Sequence, residues 1–504
     1  MEPANRHPFE PDKGFDGGDL DCGGGLLLLI RRHIDPMERG QLLEIRSTES
    51  SVEDDLPSWC RLTGNELVSW TKEGNRRSFL VCKGALRSGT RNEAIPCVRA
   101  FPPVAPVAIP ARLPSPASAA DIPPLSVMGV GSWPRPLWML RAIHAHLEGR
   151  LSEDEFQATA DDAVRLSVEA QIRAGADVVT DGEQRRDGYA SFVGGRLDNC
   201  QLIPLTDLLP LAKDPEAFER ELRALDVPAG EVRHPAVLGP LGRSRPLAVH
   251  ELQFAKTLTQ KPIKVALPGP YLLARTMWIE CLSDRAYGSR EKLAEDVVRV
   301  LREELHFLLA AGAAIVQFDE PVLSEVVFTG AKDTRRFMCG ALSAKKDPER
   351  ELAFARDLLN ATVQGLPAAR TAIHVCRGNW TRDETAAMTG GYAPLLPFLR
   401  SLRVGTFFLE ACTPRAGGMD ILRGLPDDRR IGIGVVNQKR ERIETVEEVL
   451  AKANQAIDLF GRDRVLLNPD CGFATFSANP VASVQVAEGK LRAIAQASLI
   501  LRNG

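Results

Sequence analysis

The stretch "EKLAEDVVRVLREELHFLLAAGAAIVQFDEP", residues 291–321, decides the fold. Its first two thirds read as a helix. "AIVQF" then reads as a short apolar strand, which stops in two acids, Asp319 and Glu320. The same pattern recurs on either side. "LSEDEFQATADDAVRLSVEAQIRAGA" (151–176) reads as a helix opened by a Ser152/Glu155 capping box, and it runs into the short strand "DVVTDGE" (177–183). Further on come "TAIHVC" (371–376), "VGTFFLEA" (404–411), "RIGIGVV" (430–436) and "RVLLNPDCG" (464–472), with a clear helix, "VEEVLAKANQAIDLFG" (446–461), between the last two. Helices alternating with strands build a parallel sheet. Over residues 125–504 the expected architecture is an α/β fold, a (β/α)8 TIM barrel with insertions. A doubly wound open sheet stands second, because no Gly-rich phosphate loop follows the first strand.

Unusual polar residues sit where these strands stop: Glu183, Asp319, His374, Cys376, Glu410 and Cys471. In a barrel the carboxyl ends of the strands form one rim, where catalysis occurs. His374 and Cys376 lie two apart in a strand and so share a face. With Glu410 and Cys471 they make a zinc set of imidazole, thiolate and carboxylate. Thiolates argue against magnesium or calcium, which take all-oxygen shells. A buried cysteine is also an ordinary small core hydrophobe. From placement alone the two readings stand level.

The bulk numbers bound the function. The chain has 504 residues, so two or more domains are expected. Its composition, 44% hydrophobic and 26% charged, is that of a globular protein, and a net charge of −3 gives no basic field for nucleic acid. The longest purely aliphatic run, "LLLLI" at 26–30, is far short of a membrane span. "MEPANRHPFEPDKG" (1–14) lacks the features of a signal peptide, so cytoplasm is the expected location. Ten cysteines in this length form no disulfide framework. The expected division is a disordered 1–14, a small unit at 15–85, a Pro/Ala-rich linker at 86–124 ("AFPPVAPVAIPARLPSPASAADIPP" from 100) and the large unit at 125–504.

The large unit resembles a known family. "VGSWPRP" (130–136), "DGEQRRDGY" (181–189), "LPGPYLLARTMW" (267–278), "IVQFDEPVL" (315–323), "HVC" (374–376), "FFLEAC" (407–412), "GIGVVN" (432–437) and "LLNPDCGFATF" (466–476) fall in the order of the C-terminal catalytic barrel of cobalamin-independent methionine synthases, over about 125–490. "QFDEP" and "NPDCG" are the specific signals. The resemblance implies zinc held by His374, Cys376, Glu410 and Cys471, and an acceptor amino acid near Gly131, Ser132, Glu183 and Asp319, the last two holding its amino group. It implies a methyltransferase acting on homocysteine, like 5-methyltetrahydropteroyltriglutamate-homocysteine S-methyltransferase. Its partners are then a small thiol and a methyl donor, folate or other. Two departures stand out. Synthases of this class carry a second, N-terminal barrel, and none is legible here. The family's catalytic His falls on Lys439 and a neighbouring Asp on Asn437, so Lys439 is the expected proton donor. These departures bear on the donor. They keep open an alternative, zinc-dependent alkyl transfer to or from another thiol of sulfur metabolism. A third reading is a scaffold whose barrel no longer catalyses. A porphyrinogen decarboxylase, a related barrel without metal, leaves the Cys/His/Glu set unexplained.

The small unit reads as strand, helix, strand, helix, strand, strand, a two-layer α/β pattern. It resembles the TusA-like sulfur carriers, most specifically in "DLPSWCRLTGNELV" (55–68). The resemblance places the family's reactive Cys on Cys22, with glycines, Gly23 and Gly25, where the family motif has prolines. A thiol at a helix N-terminus is expected to have a lowered pKa, which suits a persulfide carrier and a sulfur-relay partner protein. An inert Cys22 in a silent unit is the equal alternative. Cys60 reads as core.

Overall fold

The structure is a computed structural model and describes residues 3–86, 107–208, 216, 232–279, 283, 286–328, 347–379, 382, 384, 387–474 and 481–503. The N-terminal segment forms β1 (Lys13–Asp16), α1 (Leu27–Ile34), β2 (Leu42–Ser47), α2 (Val52–Thr63), β3 (Glu66–Glu73) and β4 (Arg76–Cys82). The sheet order is β1-β2-β4-β3, with β1 parallel to β2 and the other pairs antiparallel. Alternation decides the layers. Leu43, Ile45, Phe79 and Val81 join one core with the apolar faces of α1 and α2, while Leu42, Leu80 and Cys82 form a separate cluster. Gly64 stops α2 in the left-handed conformation, as its position predicts. Residues 1–14 were expected to be disordered. Instead Ala4 pairs with Thr71, His7 bridges Ser69 (2.8 Å) and Ser78 (2.9 Å), and β1 already begins at Lys13. The backbone amides and carbonyls of an edge strand are a ready template for such pairing.

The expected linker falls partly outside the described residues, at 87–106. Over 107–124 it has no helix or strand, yet it is hydrogen bonded at the amino ends of the barrel strands. Ala117 N–H donates to Leu309 O (3.1 Å), and Leu125 N–H to Val465 O (2.7 Å). Ile122 packs into the apolar interior beneath the barrel.

The large sheet is parallel throughout. Its order is β12-β11-β10-β9-β8-β7, with β7 Lys264–Pro268, β8 Ile315–Asp319, β9 Thr371–Val375, β10 Thr406–Leu409, β11 Arg430–Val436 and β12 Val465–Pro469. Two shorter segments complete it. Val127 bridges Leu467, Met128 bridges Val178, and Val179 bridges Ile263, all parallel, so the sheet closes on itself. Helices return the chain between strands, among them α3 (Leu137–Leu147), α4 (Glu153–Arg173) and the helix Arg290–Ala310. The Ser152/Glu155 capping box forms as predicted. An antiparallel pair, β5 (Asp198–Pro204) with β6 (Arg233–Gly242), interrupts the ring and was not foreseen. It also meets the N-terminal sheet unit. Arg31 Nε donates to Asp207 (2.7 Å), and Gln201 Nε2 donates to Arg31 O (2.9 Å) and to Asp35 (2.8 Å). Among the described residues no helix is long and apolar enough to cross a membrane.

The capping box gives a direct check. Ser152 accepts from Glu155 N, and the Glu155 carboxylate accepts from Ser152 N, each at 3.3 Å. Ser152→Ala should lower the unfolding free energy by about 1 kcal/mol, read as a lower urea midpoint with an unchanged slope.

Candidate metal centre

Register builds this site. β8 and β9 pair so that Asp319 lies opposite His374, both at the carboxyl ends of their strands. The His374 imidazole donates from Nδ1 to Asp319 Oδ1 (3.0 Å). Its Nε2 is buried and has no hydrogen-bond partner among the described residues. A ring held through one nitrogen by a carboxylate, with the other nitrogen bare, is the arrangement of a metal-ligating histidine. Cys376 follows β9 by one residue, and Cys471 follows β12 after Asp470. One ligand atom from each of His374, Cys376 and Cys471 lies within 4.8 Å of the others, and all three residues are buried. An imidazole and two thiols make a donor set that suits a metal ion taken tetrahedrally.

Glu410, the fourth expected ligand, falls outside that close group. It is fully buried directly after β10. Its Oε1 accepts from Arg377 N–H (3.1 Å), and its Oε2 has only Arg415 at 3.7 Å, beyond hydrogen-bond reach. These two groups hold the carboxylate back, and they leave one buried oxygen unsatisfied, which is costly. Its negative charge still acts on His374, Cys376, Cys471 and Lys439.

The electrostatics set the two thiols apart. A hydrogen bond from Cys471 lowers the Cys376 thiol, while the same bond and burial raise the Cys471 thiol. Burial opposes a charged His374, but the bond to Asp319 outweighs it and the imidazole titrates above its ordinary value.

One cavity at the rim takes in this trio and all four expected substrate residues, Gly131, Ser132, Glu183 and Asp319, with Tyr189 and Asn379 added. A Cβ at Gly131 would come to 2.2 Å from Glu183 Oε1 and force that carboxylate to shift. Ser132 is tied to the loop after the neighbouring strand β12 by hydrogen bonds with Ala474. Glu183 is buried with φ 55°, a conformation that non-glycine residues rarely take and that clusters at functional sites. Burial pushes its carboxyl up to about 7, with Arg186 pulling against Asp319 and Asp181. Asp319 is already engaged by His374 and by Gln317 Nε2 (2.7 Å), so it orients a ligand as well as lining the cavity.

Lys439 is buried beside the trio. Burial, then Arg415, lowers it to about 8 against Glu410, Cys471 and Cys376. Asn437 Oδ1 accepts from Lys439 N–H (3.0 Å), so the amide keeps an acceptor that holds this turn. Cys22 differs from expectation. It lies in a single turn of wide helix, Cys22–Leu26, and burial, with Asp55 and Asp21, pushes its thiol up to about 12. A low-pKa thiolate is therefore not what this position favours. Gly25 takes φ 118°, which proline cannot adopt, so the glycine there is a geometric requirement. Cys60 is core, as expected.

Two neighbours of the site escaped the sequence reading. Gln317 alternates with Asp319 along β8, and that spacing was a signal. Asn379 donates to Gly472 O (2.7 Å) and accepts from Gln438 (2.8 Å), contacts that only the fold reveals.

Comparison with known proteins now bears on the barrel. A family model described as "Cobalamin-independent synthase, Catalytic domain" matches residues 227–492, more than half of the chain. The chain belongs to this family. Among curated members, a methionine synthase of Sulfurisphaera tokodaii is 29% identical over 353 residues, covering 70% of this chain and 87% of that protein. One of Saccharolobus solfataricus is 25% identical over 359 residues, covering 71% and 91%. Among solved structures, a B12-independent methionine synthase from Shewanella sp. W3-18-1, in complex with selenomethionine, superposes with TM-score 0.58 at 26% identity, covering 75% of this chain and 98% of that one. A putative vitamin-B12-independent methionine synthase from Listeria monocytogenes, at 19% identity and TM-score 0.55, shares the fold. The cobalamin-independent synthase barrel is thus matched over nearly the full length of its relatives.

The metal trio yields a prediction. Cys471→Ala should abolish stoichiometric metal, measured by elemental analysis of the purified chain, while circular dichroism stays that of the parent. Asp319→Ala should retain metal at saturation but bind it about 10- to 100-fold more weakly in chelator competition.

Proposed function

We propose that the barrel is a zinc-dependent methyltransferase that transfers a methyl group to homocysteine, giving methionine. The observation that carries this reading is the buried His374, Cys376 and Cys471 trio, opening onto the same cavity as Glu183, Ser132 and Gly131. The names of the relatives support the reaction. The Shewanella neighbour, solved with selenomethionine, supports an amino-acid occupant of the cavity. Two thiols and an imidazole favour zinc over hard cations. His374, Cys376 and Cys471 would hold it, with Glu410 as the nearby fourth donor.

A free thiol near pKa 8.5 is mostly protonated at neutral pH. Zinc held there would supply the Lewis acidity that lowers the pKa of the substrate thiol and favours its thiolate. The chain's own residues do the rest. Glu183, once ionised, and Asp319 hold the substrate ammonium against the cavity wall. Gly131 leaves room for the Glu183 carboxylate, and Ser132 fixes the neighbouring wall. Lys439, lowered to about 8, would give a proton to the group that the methyl leaves. The donor is folate or another methyl compound. Lys439 in place of a family histidine is the residue that bears on that choice.

For the N-terminal segment we propose a TusA-like frame over 15–85 joined through 86–124 to the catalytic unit at 125–504. The element order and the two layers support the frame. The buried, high-pKa Cys22 supports a docking or structural role over sulfur relay.

The test is product analysis with homocysteine and candidate methyl donors, beside growth rescue of a methionine-requiring strain. The parent chain should form methionine and rescue, and Cys471→Ala should do neither. Rescue by both would remove metal activation from the account.

The pH profile is a separate check. The Glu183 carboxyl is raised, so it ionises as the pH rises through about 7. Lys439 is lowered, so it loses its proton as the pH passes about 8. The profile of kcat/KM should therefore rise near 7 and fall near 8. Glu183→Gln should remove the rising limb and Lys439→Met the falling one.

A further inference from the structure

Below the metal centre a lysine is buried among largely apolar side chains of the barrel interior. Lys264 begins β7, is fully buried, and its ammonium lies 4.0 Å from the centre of the Phe408 ring. Phe408 belongs to the interior cluster with Met128, Ile315 and Leu466. An apolar side chain would fill such a place at lower cost than a cation. Burial pulls the amine down to about 7, and the charges of Asp319 and Glu183, both at the rim, are what oppose this.

A line of hydrogen bonds leads upward from it. Lys264 Nζ donates to Gln317 Oε1 (2.8 Å), Gln317 Nε2 donates to Asp319 Oδ1 (2.7 Å), and His374 Nδ1 donates to the same oxygen (3.0 Å). We propose that Lys264 is a positioning residue for the metal centre, setting the tautomer and orientation of His374 through Gln317 and Asp319. This rests on the reading of His374 as a metal ligand.

The logic lies in the donor inventory. In its protonated form, which Asp319 and Glu183 favour, Lys264 has donors and no acceptor, whereas an amide has one of each and can turn over. Facing Lys264, Gln317 must present its oxygen downward, so its N–H groups point up at Asp319. The turned-over amide would set oxygen against carboxylate. Asp319, held from below, is then left as an acceptor for His374 Nδ1–H. That fixes Nδ1 as the nitrogen that donates to Asp319 and leaves Nε2 as the one available to a metal, where no described residue meets it. Lys264 thus acts on His374 through two residues, Gln317 and Asp319, without touching substrate.

The test uses the full chain with Zn2+ alone as probe, and the variants Lys264→Met, Gln317→Met and the double variant. Zinc affinity is read by chelator competition. The His374 tautomer is read from the imidazole nitrogen resonances of the metal-free protein. Each single variant should bind Zn2+ about tenfold more weakly and show mixed tautomers. The double variant should be no worse than either single, because the residues act as one unit. A purely structural lysine would lower the melting temperature and leave affinity and tautomer unchanged, which overturns the proposal. So would effects of the two singles that multiply in the double. Should Lys264→Met fail to fold, the double variant, which removes both buried partners together, carries the comparison. Failure of the parent chain to bind Zn2+ would strike the metal reading instead, and the tautomer comparison still tests Lys264.

Discussion

Parallel pairing of β8 with β9 sets the height of Asp319 against His374, and the chemistry of the mouth depends on that one register. A slip of a single residue would turn His374 into the wall of the barrel and Asp319 away from it. The register is held on both flanks, by β7 against β8 and by β10 against β9, each pair parallel and without a bulge. A closed sheet has no edge at which a strand can shift. Closure by the short segments at 127–128 and 178–179 therefore does more for the site than their length suggests.

Charge is the second constraint. Glu183, Asp319, Glu410 and Asp470 are all buried around the mouth. Burial pushes Glu183 and Asp470 up to about 7, which records how poorly so much negative charge is tolerated there. Lys439, Arg415 and Arg186 offset part of it. The bare His374 Nε2 lies with Cys376 and Cys471, where a divalent cation would settle part of the remainder.

Much of this was readable in the chain. Each strand with an acid, imidazole or thiol at its end was visible because an apolar run followed by a polar residue is a local pattern. Ser152 with Glu155, and Gly64 after α2, are likewise local. What was not legible depends on distant partners. The pairing of Ala4 with Thr71 joins segments far apart in the chain, and no composition signal marks it. The hairpin of β5 and β6 has no period that separates it from the helices around it. Glu410 was named from its place after a strand, but its hold by the Arg377 backbone N–H and the Arg415 side chain comes from two other loops. Cys22 was expected to be acidic because it starts a helix. Its burial beside Asp55 reverses that, and a sequence does not display burial at a glycine-rich turn.

The seam between α1 and the β5–β6 pair has its own consequence. Arg31, Asp35, Gln201 and Asp207 make the contact, and none of them belongs to a ring strand. A substitution at this join would therefore change how the N-terminal unit docks while leaving the strand ends that build the mouth in register.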